Sequence, residues 1–341
     1  MEHVAIDLGG RESQVCVRAA DGTILDERLW PTGKLSGYLR KRPVSRVVVE
    51  TSAEAFAVAD RALEQGHEVR VVPATLVRSL GVGARGIKTD RRDAQVLSEV
   101  SCRIDLPSVH VPSEASRSRK SMCGAREALV DTRTKLINTV RGWLRTQLLK
   151  IPSGRSETFP KRVRDKLVSE PDGSPEFIER LLVVLEKLNE QIGEAGKELE
   201  QLAQQDELCQ RMMTAPGVGA VTAVRYSAAL DEVGRFAGAH AVESYLGLTP
   251  GENSSSTRKR RTGITKAGPP KVRWALVQAC WAMRRCRPDD PLVQWAEQVE
   301  QRRGKRIAIV AMARKLAGIL YAMWRDGTDY DPHYEARKNK T

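Results

Sequence analysis

The 341-residue chain has six cysteines, at 16, 102, 123, 209, 280 and 286, with no CxxC pair and no histidine at metal-ligand spacing. That pattern excludes a disulfide framework and a zinc site, and it fits reduced cytosol. The amino terminus lacks a basic segment followed by an apolar stretch, so no secretory signal is expected. Long uncharged apolar runs are also missing. The most apolar late stretch, 307–324, carries Arg314 and Lys315 in its middle, and a bilayer would penalise each by about 3 kcal/mol. No membrane partner is expected. Acidic residues are absent between Glu252 and Asp289.

What is present has ordinary globular composition, 41% apolar and 29% charged residues, and enough length for two domains or one large one. The formal net charge is +13. A surface this basic attracts polyanions, and nucleic acid is the first partner to expect, with a merely soluble basic protein as the plainer alternative.

Four acids in the first hundred positions stand where strand or helix ends can aim carboxylates at one point. Asp7 ends the apolar run of VAIDLGG, Glu50 ends that of SRVVVET, and Asp90 and Asp93 open KTDRRDAQVLSEV three residues apart, on one helix face. Hard carboxylate oxygens gathered in this way hold Mg²⁺. Two such ions about 3.5–4 Å apart clamp the attacking and leaving oxygens of a phosphodiester exchange. Two plainer readings stand beside this one. Asp90 serves equally as a helix N-cap with a second acid in the first turn, and a VAIDLGG turn could cradle a nucleotide phosphate, as in actin-like kinases.

Around these acids the pattern predicts strands at 3–8, 13–19, 23–30, 46–50 and 68–73, with a hairpin turn at Asp21-Gly22 and a helix over 54–65. The order βββαβαβ implies a mixed sheet covered by helices, as in ribonuclease-H-like domains, with Asp7 and Glu50 on neighbouring strands. Residues 113–150 read as a basic helix expected to pack back on the sheet. A Pro- and Gly-rich stretch at 151–175 marks a connector. Beyond it Ile178, Leu181, Leu185, Leu188, Ile192, Ala195, Leu199 and Leu202 follow the 3,4 spacing of a coiled-coil seam. A second chain is the favoured cover for that seam, and a neighbouring helix of the same chain is the alternative.

The last third carries three features of interest. TAPGVGAVTA places Gly217 and Gly219 between two helices, where backbone N–H groups can meet a phosphate or where glycine can simply allow a tight turn. The acid-free segment holds Arg258, Lys259, Arg260, Arg261, Lys266, Lys271 and Arg273, an electrostatic footprint for a nucleic-acid backbone. Trp274 and Trp281, seven apart on one helical face, are expected in the core rather than stacked on bases. Ser254, Ser255 and Ser256 precede the basic run and read as solvated loop or as a nucleophile needing a metal ion for activation.

Together AIDLG, VVVET, GIKTDRRDA, TAPGVGAVTA, YLGLTP, GITKAG and KRIAIVAMARKLAGILYAMWRDGTDYDP resemble, in order, the segments of the DEDD transposases of the insertion-sequence one-ten family, which includes pilin-inverting and bridge-RNA-guided recombinases. The resemblance spans nearly the whole chain. It implies an α/β plus α architecture: a RuvC-like, ribonuclease-H-like DEDD catalytic domain at 1–150, a linker and coiled-coil helix at 151–205, and a mostly helical transposase domain at 206–341. Asp7, Glu50, Asp90 and Asp93 would then bind Mg²⁺. A catalytic serine is implied shortly after the GLTP segment, and counting from Pro250 to Ile264 places it at Ser255, with Ser254 and Ser256 as alternatives because Ser256 stands where the family has glycine. Pro269 stands where asparagine is more usual.

The implied reaction is Mg²⁺-dependent DNA strand cleavage and exchange through a serine–DNA link, with element ends and target DNA as partners. A noncoding bridge RNA is expected to supply sequence choice by base pairing, and a homodimer or homotetramer is expected. Two readings compete: a junction nuclease that uses the same acids with water, and a non-catalytic nucleic-acid-binding protein.

Overall fold

The structure, a computed structural model, describes residues 1–79, 89–168, 173–252 and 261–333. The chain divides into two compact units, Met1–Pro112 and Ser113–Thr341.

The first unit is built on a five-stranded mixed sheet. Strands β1 (Glu2–Asp7), β2 (Glu12–Arg18) and β3 (Ile24–Pro31) form an antiparallel meander, and β4 (Ser45–Glu50) and β5 (Glu68–Val72) join on the other side of β1 in parallel, giving the order β3-β2-β1-β4-β5. The helices are α1 (Leu35–Leu39), α2 (Ala55–Glu64), α3 (Ala74–Ser79) and α4 (Asp90–Arg103). Central strands covered on both faces read as continuous apolar runs, which is why VAI and VVV lack alternation.

Alternation decides which helix each residue meets. Val4, Ile6, Val15, Val17, Val47, Val49 and Val71 pack under α1 and α2. Ala5, Val48 and Val72 face the other way, against Val77 of α3, Leu97 of α4 and Leu106. Gly22, with φ +91°, turns the β2–β3 hairpin.

The second unit is helical: α5 (Glu114–Thr146), α6 (Phe159–Leu167), α7 (Glu176–Gln205), α8 (Glu207–Met213), α9 (Ala220–Leu230), α10 (Ala239–Tyr245), α11 (Pro270–Cys286), α12 (Pro291–Arg303) and α13 (Lys305–Asp326), with a short hairpin of β6 (Pro250–Glu252) and β7 (Arg261–Ile264) between α10 and α11. One core joins Ile137, Val140 and Leu144 of α5, Phe159, Val163 and Leu167 of α6 and Ile178, Leu182 and Leu185 of α7. A larger one gathers α8 to α13 around Tyr226, which is fully buried and donates its hydroxyl to the Ala317 carbonyl at 2.6 Å.

Two expectations change here. The basic helix α5 belongs to the second unit, where its apolar stripe meets α7 and α9. The α7 seam is covered within the chain, Ile178, Leu182 and Leu185 by α5 and α6 and Leu199 and Ala203 by the larger core, so its apolar stripe needs no second copy to be buried. Spacing defines the stripe but not what lies on it. The buried set, Ile178, Leu182, Leu185, Ile192, Leu199 and Ala203, also departs from the strict 3.5 repeat, as a straight helix of period 3.6 must.

Among the described residues α13 is the one helix long and apolar enough to cross a bilayer. Its Ala308, Met312, Ala313, Leu316, Ala317 and Leu320 are buried in the larger core.

Candidate active site

The first two predicted acids are placed by register. Ile6 pairs with Val49, so the next step along two parallel strands sets Asp7 beside Glu50 at the same end of the sheet. Both lie on the α4 face, since Ala5 and Val48 do.

Helix α4 runs along that face with steps that match the strand. Two strand residues advance about 6.6 Å and four helix residues about 6 Å, so contacts repeat together along the two elements. His3 shares a 2.8 Å hydrogen bond with Ser101, and Ala5 lies in one cluster with Leu97. The same stepping brings Asp7 level with Asp93. Asp93 is 3% exposed, whereas Asp90, one turn nearer the helix start, is exposed.

The helix is held in this position along its length. Arg91 Nε donates to Glu27 at 2.9 Å and Gln95 to the same carboxylate at 2.6 Å, and these bonds, Arg91 first, keep the Glu27 carboxyl below its usual range. Arg18 donates to Ser98 at 3.0 Å. The N-cap is Thr89, whose hydroxyl accepts from the Arg92 N–H, rather than Asp90, and both acids sit in the first turn, where the helix dipole favours them.

The strand exits are braced as well. A Cβ on Gly9 would collide with the Glu12 carbonyl; Thr32 Oγ1 donates to the Gly9 carbonyl at 2.6 Å and shares a 2.7 Å bond with Ser13. Past Glu50, Thr51 N–H donates to the Val72 carbonyl at 3.0 Å. Sequence reasoning missed Gln14, which pairs with Asp7 across the antiparallel β1–β2 ladder and is nearly buried. Hairpin register around Gly9-Gly10 was the signal that could have found it.

The donor set is one of hard oxygens, the chemistry Mg²⁺ prefers. In donor type it suits that ion. Among the described residues, however, no three His, Cys, Asp or Glu side chains stand at the spacing of a metal cage.

In the second unit the β6–β7 hairpin is clamped at its base. Thr265 N–H donates to the Thr249 carbonyl at 2.9 Å and Lys266 N–H to that of Gly247 at 3.0 Å. Gly247 has φ +67° and faces the Ala267 amide so closely that a Cβ would lie 2.6 Å from it; a Cβ on Gly268 would strike the Tyr245 carbonyl. The YLG and KAG segments are thus two backbones in contact. Arg273 secures them, its Nη1 donating to the Leu246 carbonyl at 3.0 Å and the Gly268 carbonyl at 2.6 Å, while burial lowers its pKa.

The predicted cations therefore divide. Lys266 is exposed. Lys271 pairs with Glu127 at 2.7 Å and Asp131 at 3.5 Å, and Arg273 turns inward. Arg261 is described by its backbone, which closes the hairpin opposite Glu252. Ser254, Ser255, Ser256, Arg258, Lys259 and Arg260 lie outside the described residues.

Gly217 has φ +81°, and its missing Cβ leaves room for the Ala279 carbonyl and for the Met283 amide, which would be 2.8 Å away. Packing on α11 is enough to account for it. Gly219 is exposed and caps α9.

Comparison with known proteins adds the decisive observation. A family model described as a transposase, of the DEDD IS110 type, matches residues 4–148, and the model of the IS116/IS110/IS902 transposase family matches residues 209–293. The chain belongs to the IS110 family of insertion-sequence transposases. This transposase is 32% identical to the transposase for insertion sequence element IS1111A of Coxiella burnetii over 69% of its own length and 66% of the relative's. It is 26% identical to a probable family 20 transposase of Pseudomonas aeruginosa over 97% and 99%. It is 27% identical to the transposase for insertion sequence element IS1328 of Yersinia enterocolitica over 95% and 97%. It is an enzyme that acts on DNA.

Trp274 departs from expectation. It is 58% exposed, whereas Trp281 is half-buried with Arg284 at 5.7 Å and Lys305 at 5.2 Å from its ring.

Proposed function

We propose that the transposase cuts and rejoins DNA by a two-part chemistry, with a ribonuclease-H-like first domain whose Asp7, Glu50, Asp90 and Asp93 hold Mg²⁺ and a second domain that supplies Ser255. The observation that supports this reading is the register that sets Asp7 beside Glu50 on the sheet face that α4 covers, with Asp93 buried in the first turn of α4. The matched segments, 4–148 and 209–293, support a functional division into 1–150, 151–205 and 206–341.

The ion, when bound, supplies positive charge that polarises the scissile phosphate and lowers the pKa of a nearby hydroxyl. Asp7 and Glu50, on adjacent strands of a rigid sheet, provide oxygens whose positions the ladder holds, and Asp93 adds a third from the buried side of α4. Asp90, exposed one turn away, is the acid freest to follow the substrate. The Ser255 oxygen attacks phosphorus, one P–O bond forms as the bond to the leaving sugar oxygen breaks, and the serine proton passes to solvent while the leaving oxygen takes one up. Reversal with a different strand end completes the exchange. Lys266, Arg258, Lys259, Arg260 and Arg261 hold the backbone by charge, the exposed Gly219 end of α9 offers N–H groups to a phosphate, and a bridge RNA chooses the sequence by pairing. A homodimer or homotetramer brings two DNA ends together.

The test is to incubate the full chain with element-end DNA and Mg²⁺ and look for a protein–DNA adduct resistant to denaturant. Ser255→Ala should abolish the adduct, and Asp7→Asn should lower strand cleavage by at least about 10²-fold. Cleavage that persists in Ser255→Ala, with no adduct, would replace serine by water as the nucleophile.

A further inference from the structure

The six tryptophans differ in their surroundings. Trp30 lies on Tyr38, Trp143 meets the edge of Phe177, Trp281 and Trp295 are covered by cations, and Trp324 packs on the larger core; all five are half-buried. Trp274 alone is exposed, and among the described residues no ring or cation covers it. We propose that Trp274 is a stacking platform for an unpaired nucleobase, on a face of α11 that follows a phosphodiester strand. This rests on the nucleic-acid reading above and adds a residue to it.

Geometry fixes where the ring stands. Val272, Leu276, Ala279 and Met283 are buried and share one face of α11. At about 100° per residue, Trp274 falls roughly opposite that face, so turning the ring inward would pull the anchored face out of the core. Its neighbour Arg273 is tied to the Leu246 and Gly268 carbonyls, which sets the first turn of α11 against the base of the β6–β7 hairpin. The ring thus stands on the first turns of a helix whose start is anchored through Arg273 to the Leu246 and Gly268 carbonyls.

The chemistry of the face selects the occupant. Gln278 and Arg285 are exposed on the same side of the helix as Trp274, and Trp281 is capped by Arg284 and Lys305. No acidic residue occurs from 253 to 288; the carboxylates close to the helix start, Glu127 and Asp131, are paired with Lys271. A bare aromatic ring beside amide and guanidinium groups suits a base with its phosphates better than an apolar protein surface. DNA and RNA bases share this stacking chemistry, and the test separates them.

The experiment measures the affinity of the full-length protein for a labelled single-stranded DNA, the same sequence as RNA, and a fully paired duplex, at several salt concentrations. Trp274→Ala should weaken binding of at least one single strand about tenfold, leave the duplex within about twofold, and leave the salt slope unchanged, because stacking releases no counterions. The better-bound strand names the natural source. Trp274→Phe should recover most of the loss. Equal weakening for duplex and single strand, no change at all, or a change of oligomeric state with unaltered binding would overturn the proposal. Failure of the unaltered protein to bind any of the three would instead overturn the nucleic-acid reading beneath it.

Discussion

The two units place their candidate residues by different means. In the first, a hydrogen-bonded ladder sets Asp7 beside Glu50, and a one-residue slip of either strand would turn its acid away from α4. In the second, the hairpin that leads into the serine segment is held by backbones pressed together at Gly247 and Gly268 and by one arginine. A ladder spreads its specification over many bonds. A glycine contact concentrates it in one missing methyl group, so the second unit should be the more sensitive to small additions and the first to changes of polarity.

The largest effect should come from polarity in the sheet. Val48 is fully buried between the β1 and β5 neighbours of its strand and faces α4. Val48→Asp would bury a carboxylate among Ala5, Val72 and Leu97 and should cost roughly 4 kcal/mol. In chemical denaturation of the full chain the transition of the first unit should vanish or move far down while that of the second stays in place. A single transition that moves as a whole would show that the units are energetically one.

The complementary change adds one methyl group. Gly217→Ala must adopt φ +81° and place a Cβ against the Ala279 carbonyl and Met283 amide, a combination expected to cost about 3 kcal/mol. Gly219→Ala, in extended backbone with open space around it, should cost little more than a few tenths. Equal losses at the two glycines would mean that contact with α11 does not decide the turn.

The same contrast explains how far the sequence could be read. The order of elements along the chain, the neighbouring strands of Asp7 and Glu50 and the α4 start follow from apolar runs, turn signals and the connection rules, because each is a local consequence of period and register. That Asp93 is buried and Asp90 exposed could not be read, since both share a helix face in isolation and only the docking of α4 on β1 and β2 separates them. The cover on the α7 stripe was hidden for the same reason. Trp274 and Trp281 do share a face, as their spacing requires, but it lies opposite Val272 and Leu276, so Trp281 meets the core only in part and Trp274 is exposed. The residues of the serine segment remain a matter of resemblance.

A smaller effect tests the α4 anchor that the site depends on. Thr89→Ala removes the side-chain acceptor of the Arg92 N–H and should cost about 1 kcal/mol. If α4 carries Asp93 into position, catalysis measured as strand cleavage should fall while DNA affinity holds. Loss of affinity in step with cleavage would remove α4 docking as the cause.

The smallest effect is a pH dependence at the opposite end of the same helix. Burial, with help from Arg46 and the amino terminus, lowers the His3 imidazole pKa where its ring meets Ser101. The unfolded histidine, near 6.5, therefore binds a proton at pH values where the folded one does not. The contribution of His3 to the stability of the first unit is complete above about pH 6.5 and declines as the pH falls from there toward the folded value. His3→Asn keeps a polar partner for Ser101 without the titration, so its denaturation midpoint between pH 7 and pH 5 should fall less than that of the unaltered protein. Matching declines in the two proteins would assign the acid sensitivity to carboxylates, and would leave the His3 end of α4 as rigid at low pH as at neutrality.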